Sequence, residues 1–230
     1  MNLVKGWIAI LLSVVLIAWK PARPSVFLIG DSISIQYGPY LEKYLEGFID
    51  LSRKQDDGQA AKNLDVPVGA NGGDSRMVLE YLKIKLKEPD FHADYLLLNC
   101  GLHDIKHNMP DEKIQVSQDD YKNNLMEIIR LVSERKIQII WIRTTPVVDT
   151  IHNKPKGMKR YAADVAAYNQ IADEICLQKK IPMIDLFTFT RKLGNEQFID
   201  HVHYNESARA LQAAYIAGFL QNHILGKTTR

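Results

Sequence analysis

Short apolar runs alternating with longer stretches of helical period constrain this 230-residue chain more than any other feature. The runs at 26–29, 95–99, 137–142 and 182–186 are four to six residues long and end in polar or glycine-rich residues, with a weaker run at 65–68. Between them, segments 38–48, 75–87, 118–135, 161–179 and 206–222 repeat apolar residues every three to four positions. Strands that alternate with helices in this way predict an α/β protein, a parallel sheet with helices on its faces. Segments 51–65 and 148–160 read as polar surface loops. With no internal repeat and no Pro/Ser-rich linker, residues 25–230 are predicted to form one domain.

The first 24 residues are different in kind. Lys5 and Lys20 bracket an uncharged, mostly apolar run from 6 to 19 that has no polar face. It is short for a span of a ~30 Å hydrocarbon core and reads as the h-region of a signal peptide. The protein is therefore expected to be exported: periplasmic, secreted or anchored to the outer face of a membrane. Cleavage after Ala22 or Ala18 puts Lys20 or Leu16 three residues from the cut, and neither is small, so an uncleaved membrane anchor is the alternative. This segment also accounts for the net charge of +2, because without Lys5, Lys20 and Arg23 the body has 26 basic against 27 acidic residues. A near-neutral body without a basic block argues against nucleic acid as a partner. Cys100 and Cys176 lack metal-ligand spacing and read as small buried hydrophobes.

Four polar segments follow strands or precede the last helix: Gly30-Asp31-Ser32, "GANGGDS" from Gly69, "NCGLHD" from Asn99 and "IDHVHYN" from Ile199. Parallel strands bring such segments to one rim of the sheet, where open α/β sheets bind ligands. Together they contain what acyl transfer needs. Ser32 is the candidate nucleophile and His203 the base that takes its proton, since serine is a weak nucleophile unaided. Asp200, three residues before His203, can receive the imidazole Nδ1 proton and fix the tautomer. The backbone amides of Ser32 and Gly73 are candidate donors to a developing oxyanion. Asp31 and Asp104 are read as supporting carboxylates that brace turns by accepting backbone amides. His107, His152 and His223 have no partner pattern and read as surface residues, and His201 as a residue of the pocket rim. A zinc site from His201 and His203 with Asp200 or His103 is the competing reading, but no further ligand has a recognisable spacing.

The segments "IGDSIS", "GGDS", "GLHD" and "DHVH", in this order, resemble the SGNH or GDSL hydrolases, a family of serine esterases and lipases. "RTTPV" from Arg143 and "YNQIADEICLQKKIPMIDLF" from Tyr168 agree more weakly, and the resemblance spans roughly residues 26–220. It implies a three-layer α/β/α flavodoxin-like fold with a central parallel sheet and no cofactor. It also implies a third oxyanion donor at the position of His103, where the family pattern has asparagine. A neutral histidine can still donate through one ring nitrogen, and Asn99 or Asn71 lie near enough in sequence to substitute.

The expected activity is that of an exported serine carboxylic-ester hydrolase. Its substrate would be a short-chain acyl ester of a small molecule or carbohydrate, O-acetyl groups foremost. The acetyl preference follows from the resemblance together with export. A lysophospholipase or thioesterase would need a more apolar groove, and a membrane-tethered binding domain with weakened catalysis is the reading that the histidine at 103 invites.

Overall fold

The computed structural model describes residues 22–154 and 157–226, so the predicted export segment falls almost wholly outside the described residues. In chain order the first half contains β1 (Ser25–Ile29), α1 (Ser32–Leu45), β2 (Asp50–Arg53), α2 (Gln59–Lys62), α3 (Ser75–Lys85) and β3 (Tyr95–Leu98). Then come β4 (His107–Asn108), β5 (Lys113–Ile114), α4 (Gln118–Glu134), β6 (Gln138–Ile142), α5 (Asp149–His152) and β7 (Met158–Lys159). The chain closes with α6 (Ala162–Lys179), β8 (Met183–Ile184), α7 (Leu186–Lys192) and α8 (Glu206–Leu220).

Five strands form one parallel sheet in the order β2-β1-β3-β6-β8. Residues 95–98, a tyrosine and three leucines, are all buried because helices cover both faces of the sheet. Helix α1 packs with α8, while α3 and α6 both pack on α4, which gives three layers. This is the expected α/β/α architecture with flavodoxin-like strand order, in which the crevice opens between β1 and β3 where the winding direction reverses.

Three expectations about elements are corrected. The second strand is β2 at Asp50–Arg53, overlapping the start of the stretch read as a loop, and 65–68 is not a strand. As an edge strand, β2 pairs only with β1 and exposes alternate residues, so it carries no apolar run. Helix α1 begins at Ser32, six residues before its predicted start. The Asp31 side chain caps it by accepting the Ile33 amide at 2.9 Å, and burial of Ile33, Tyr37 and Leu41 carries the helix through Gly38 and Pro39. The segment 148–160 holds α5 and β7, and β7 joins β4 and β5 in a small antiparallel sheet. Both cysteines are buried and unbridged.

Candidate active site

Strand β1 delivers Ser32 through a turn of one glycine and one aspartate. Gly30 has no room for a side chain, since a Cβ there would lie 2.7 Å from Ser34 Cβ, and its carbonyl accepts the Gly72 amide at 2.8 Å. The second contact ties the end of β1 to the Gly69–Ser75 segment. Asp31 Oδ1 takes the Ile33 amide, and the Ser34 hydroxyl donates to the Asp31 carbonyl at 2.6 Å. Ser32 is the first residue of α1, so its own amide belongs to the turn that has no intrahelical acceptor.

Before α8 the chain folds back on itself. Phe198 and Tyr204 form an antiparallel bridge, and the Ile199 amide donates to the His203 carbonyl at 2.9 Å. Asp200 fills the hairpin: its Oδ1 accepts the amides of Val202 and His203, each at 2.8 Å. Its Oδ2 lies 2.8 Å from His203 Nδ1. Burial works against the Asp200 charge, but the two amides and the histidine outweigh it and hold its carboxyl below the ordinary carboxylate value. His203 Nε2 then lies 2.9 Å from Ser32 Oγ, across 171 residues of sequence. With Nδ1 facing a carboxylate and Nε2 facing a hydroxyl, the neutral ring carries its proton on Nδ1 and offers Nε2 as a base. Ser32 is 4 % exposed and His203 2 %, so the pair sits almost closed off from water.

The sequence-predicted donors are placed unequally. Gly73 has a φ of +72°, and a Cβ there would lie 2.5 Å from Met77 Sδ and 3.0 Å from Pro67, so the position needs glycine. Its amide donates to Asn71 Oδ1 at 3.0 Å, and to serve an oxyanion it must share that proton. The asparagines that might replace a donor are committed elsewhere. Asn99 Nδ2 donates to the Ile142 carbonyl at 2.9 Å and Asn71 Nδ2 to the Leu64 carbonyl at 3.3 Å. His103 is buried, and burial together with the charges of Arg160 and Lys106 pushes its pKa down to about 3, so its ring is neutral with one N–H to give.

Asp104 and Asp31 each accept a backbone amide. Asp104 Oδ1 accepts the Ser75 amide at 2.9 Å and ties the loop after β3 to the start of α3. Burial pushes the Asp104 carboxyl up to about 7. Burial also raises Asp31, although the Ile33 amide and the charge of Arg160 oppose it.

Of the histidines read as surface residues, one is buried and another is partly buried with a carboxylate partner. His152 is buried, with Nδ1 3.1 Å from the His201 carbonyl and Nε2 3.3 Å from Arg160 Nη1. His107 reaches Asp164 at 2.8 Å and lies edge-on to Tyr161. Sequence reasoning missed Arg160 and Asp65 entirely. Asp65 Oδ1 lies 3.1 Å from His201 Nε2, an approach off the line of a hydrogen bond, and His201 holds the Asp65 carboxyl below its ordinary value. Neither residue sits in a motif, and no signal in the sequence would have found them. Both nitrogens of His203 are engaged, and among the described residues no group of three or more His, Cys, Asp or Glu side chains converges as a metal site.

Residues 28–211 match the model of the GDSL-like Lipase/Acylhydrolase family. No curated protein matches. Among solved structures the chain is similar to a lipase/acylhydrolase from Enterococcus faecalis, with a TM-score of 0.66 and 16 % identity over 87 % of this chain and 97 % of that one. It is similar also to the acetyl xylan esterase AlAXEase, with a TM-score of 0.61 and 15 % identity over 85 % and 99 % of the two chains. A third, the psychrotrophic esterase EstA from Pseudoalteromonas sp., has a TM-score of 0.61 and 13 % identity over 88 % and 99 %. At these identities the likeness is one of fold.

Proposed function

Because this chain belongs to the GDSL-like lipase/acylhydrolase family, we propose that it is a serine esterase that hydrolyses short-chain acyl esters, O-acetyl groups on a carbohydrate foremost. The observation that carries the reading is the continuous line Asp200 Oδ2, His203 Nδ1, His203 Nε2, Ser32 Oγ, with separations of 2.8 and 2.9 Å. Ser32 Oγ attacks the ester carbonyl while its proton passes to His203 Nε2, and Asp200 stabilises the imidazolium. The proton then moves to the departing alcohol oxygen as the C–O bond breaks and the acyl group stays on Ser32. Water attacks that acyl-serine, gives its proton to His203 and releases the acid, and Ser32 recovers its proton.

The negative oxygen of each tetrahedral intermediate is held by the amide of Ser32, by the amide of Gly73 shared with Asn71 Oδ1, and by one N–H of His103. Two features support a short acyl group. The nucleophile is almost covered, and one neighbour in fold is an acetyl xylan esterase. A further neighbour, EstA, is described as inhibited by monoethylphosphonate, which makes phosphonates the natural probes here. We place the reaction outside the cytoplasm on the strength of the apolar run at 6–19, which serves as an export signal or, uncleaved, as a membrane tether.

The test is a panel of acetylated glycans set against p-nitrophenyl esters of increasing chain length. Turnover is expected to be greatest for acetyl esters and absent in Ser32→Ala. A preference for long-chain esters would replace the acetylesterase reading with a lipase-like one. A folded wild-type protein that turns over no ester at all would favour a binding domain.

A further inference from the structure

Arg160 is 3 % exposed, and among the described residues no carboxylate pairs with its guanidinium. Burying a charge without a counter-ion is costly, and burial lowers its pKa to about 10 against the opposing fields of Asp65 and Asp31. Its contacts show what the charge holds in place. Arg160 Nε donates to the Leu102 carbonyl, one residue before His103. Arg160 Nη1 lies 3.3 Å from His152 Nε2, and since arginine can only donate, that nitrogen must accept. His152 therefore carries its proton on Nδ1, and it donates that proton to the His201 carbonyl 3.1 Å away. Burial and Arg160 push the His152 pKa down to about 3, so the ring is neutral and the direction of both bonds is fixed. The His201 carbonyl lies between Asp200 and His203 in the loop that carries both.

We propose that Arg160 and His152 form a positioning strut that sets the acid–base loop around Asp200 and His203 against the loop that carries His103. Neither residue touches the substrate. Their part is to fix the distance between two loops that must meet at one carbonyl, the base on one side of it and an oxyanion donor on the other. The proposal rests on the esterase reading of Ser32. Displacing a catalytic group by about 1 Å is enough to cost on the order of 100-fold in rate, so a strut of three hydrogen bonds is a sufficient device.

The test uses Arg160→Ala, Arg160→Lys, His152→Phe and the double variant Arg160→Ala/His152→Phe, each checked for folding by circular dichroism. With p-nitrophenyl acetate, kcat is expected to fall roughly 10- to 100-fold in Arg160→Ala and in His152→Phe, with KM within about twofold. The double variant should be no slower than the worse single one, because the two act as one chain. Millimolar guanidinium should restore part of the Arg160→Ala rate in a saturable manner, whereas methylammonium should not. If Arg160→Ala does not fold, Arg160→Lys, which keeps the charge but cannot bond both loops at once, is expected to fold with an intermediate kcat. Histidine-ring ¹H–¹⁵N spectra read the geometry without turnover: the His203 Nδ1 proton, visible in the wild type, should exchange away in the variants. Unchanged kcat and unchanged His203 signals, or losses that multiply in the double variant, would overturn the strut. A wild-type protein without turnover but with the protected His203 proton would count against the esterase reading and leave the strut standing.

Discussion

At the scale of single residues, the arrangement separates three roles that the same motifs leave merged. Asp200 spends one oxygen on two backbone amides and the other on His203, so it both shapes its loop and sets the tautomer. Asp200→Asn keeps the shape and loses the tautomer, and kcat measured with p-nitrophenyl acetate is expected to fall by about 10³- to 10⁴-fold. His103, neutral and buried, is assigned a single donor, which places its worth near that of one oxyanion hydrogen bond. His103→Ala should therefore lower kcat by roughly 100-fold, while His103→Asn, which restores an amide donor, should stay within about tenfold of wild type. Equal rates for His103→Ala and wild type would remove this residue from the oxyanion site.

At the scale of elements, what holds the site are the ends of helices. Asp31, Asp74 and Asn205 each cap a helix that begins beside a site segment, with Asn205 Oδ1 accepting the Ala208 amide at 2.9 Å at the start of α8. Removing that cap with Asn205→Ala is expected to cost about 1 kcal/mol, read as a fall of about 2–4 °C in Tm. This scale is also where the sequence was least legible. Strands β1, β3 and β6 announce themselves as buried apolar runs, and the helices beginning at 75, 118, 162 and 206 by their period. Edge strand β2 has no such run, and the first turn of α1 is hidden under the polar residues that serve the site. The segment 148–160 reads as solvent-facing because His152 and Arg160 are polar, yet they are buried by satisfying each other and two distant carbonyls. Such long-range pairing leaves no periodic trace in a sequence.

At the scale of the whole molecule, the parallel sheet brings Ser32 and His203 together from opposite ends of the domain, and that meeting was legible because each residue lies in its own short motif. The strut and the occupied Gly73 amide were not, since both depend on contacts between segments far apart in the chain. Stability should also report on the site. The Asp104 carboxyl sits at about 7 in the folded protein against 3.8 for the ordinary group. The native state thus binds this proton more tightly than the unfolded one, so the stability linked to it is present below the ordinary value and is lost as pH rises towards 7. Urea unfolding at pH 5 and pH 8 should show wild type losing on the order of 2 kcal/mol relative to Asp104→Asn over that interval. Parallel behaviour of the two proteins would mean that Asp104 is ionised in the fold throughout.

The most direct measurement of the central claim is covalent labelling by a fluorophosphonate, read by intact mass and by mapping the modified peptide. The account expects one adduct per chain, on Ser32, absent in Ser32→Ala and slowed by orders of magnitude in His203→Ala. A folded protein that takes no label, or takes it on another residue, or labels as fast without His203, would contradict it.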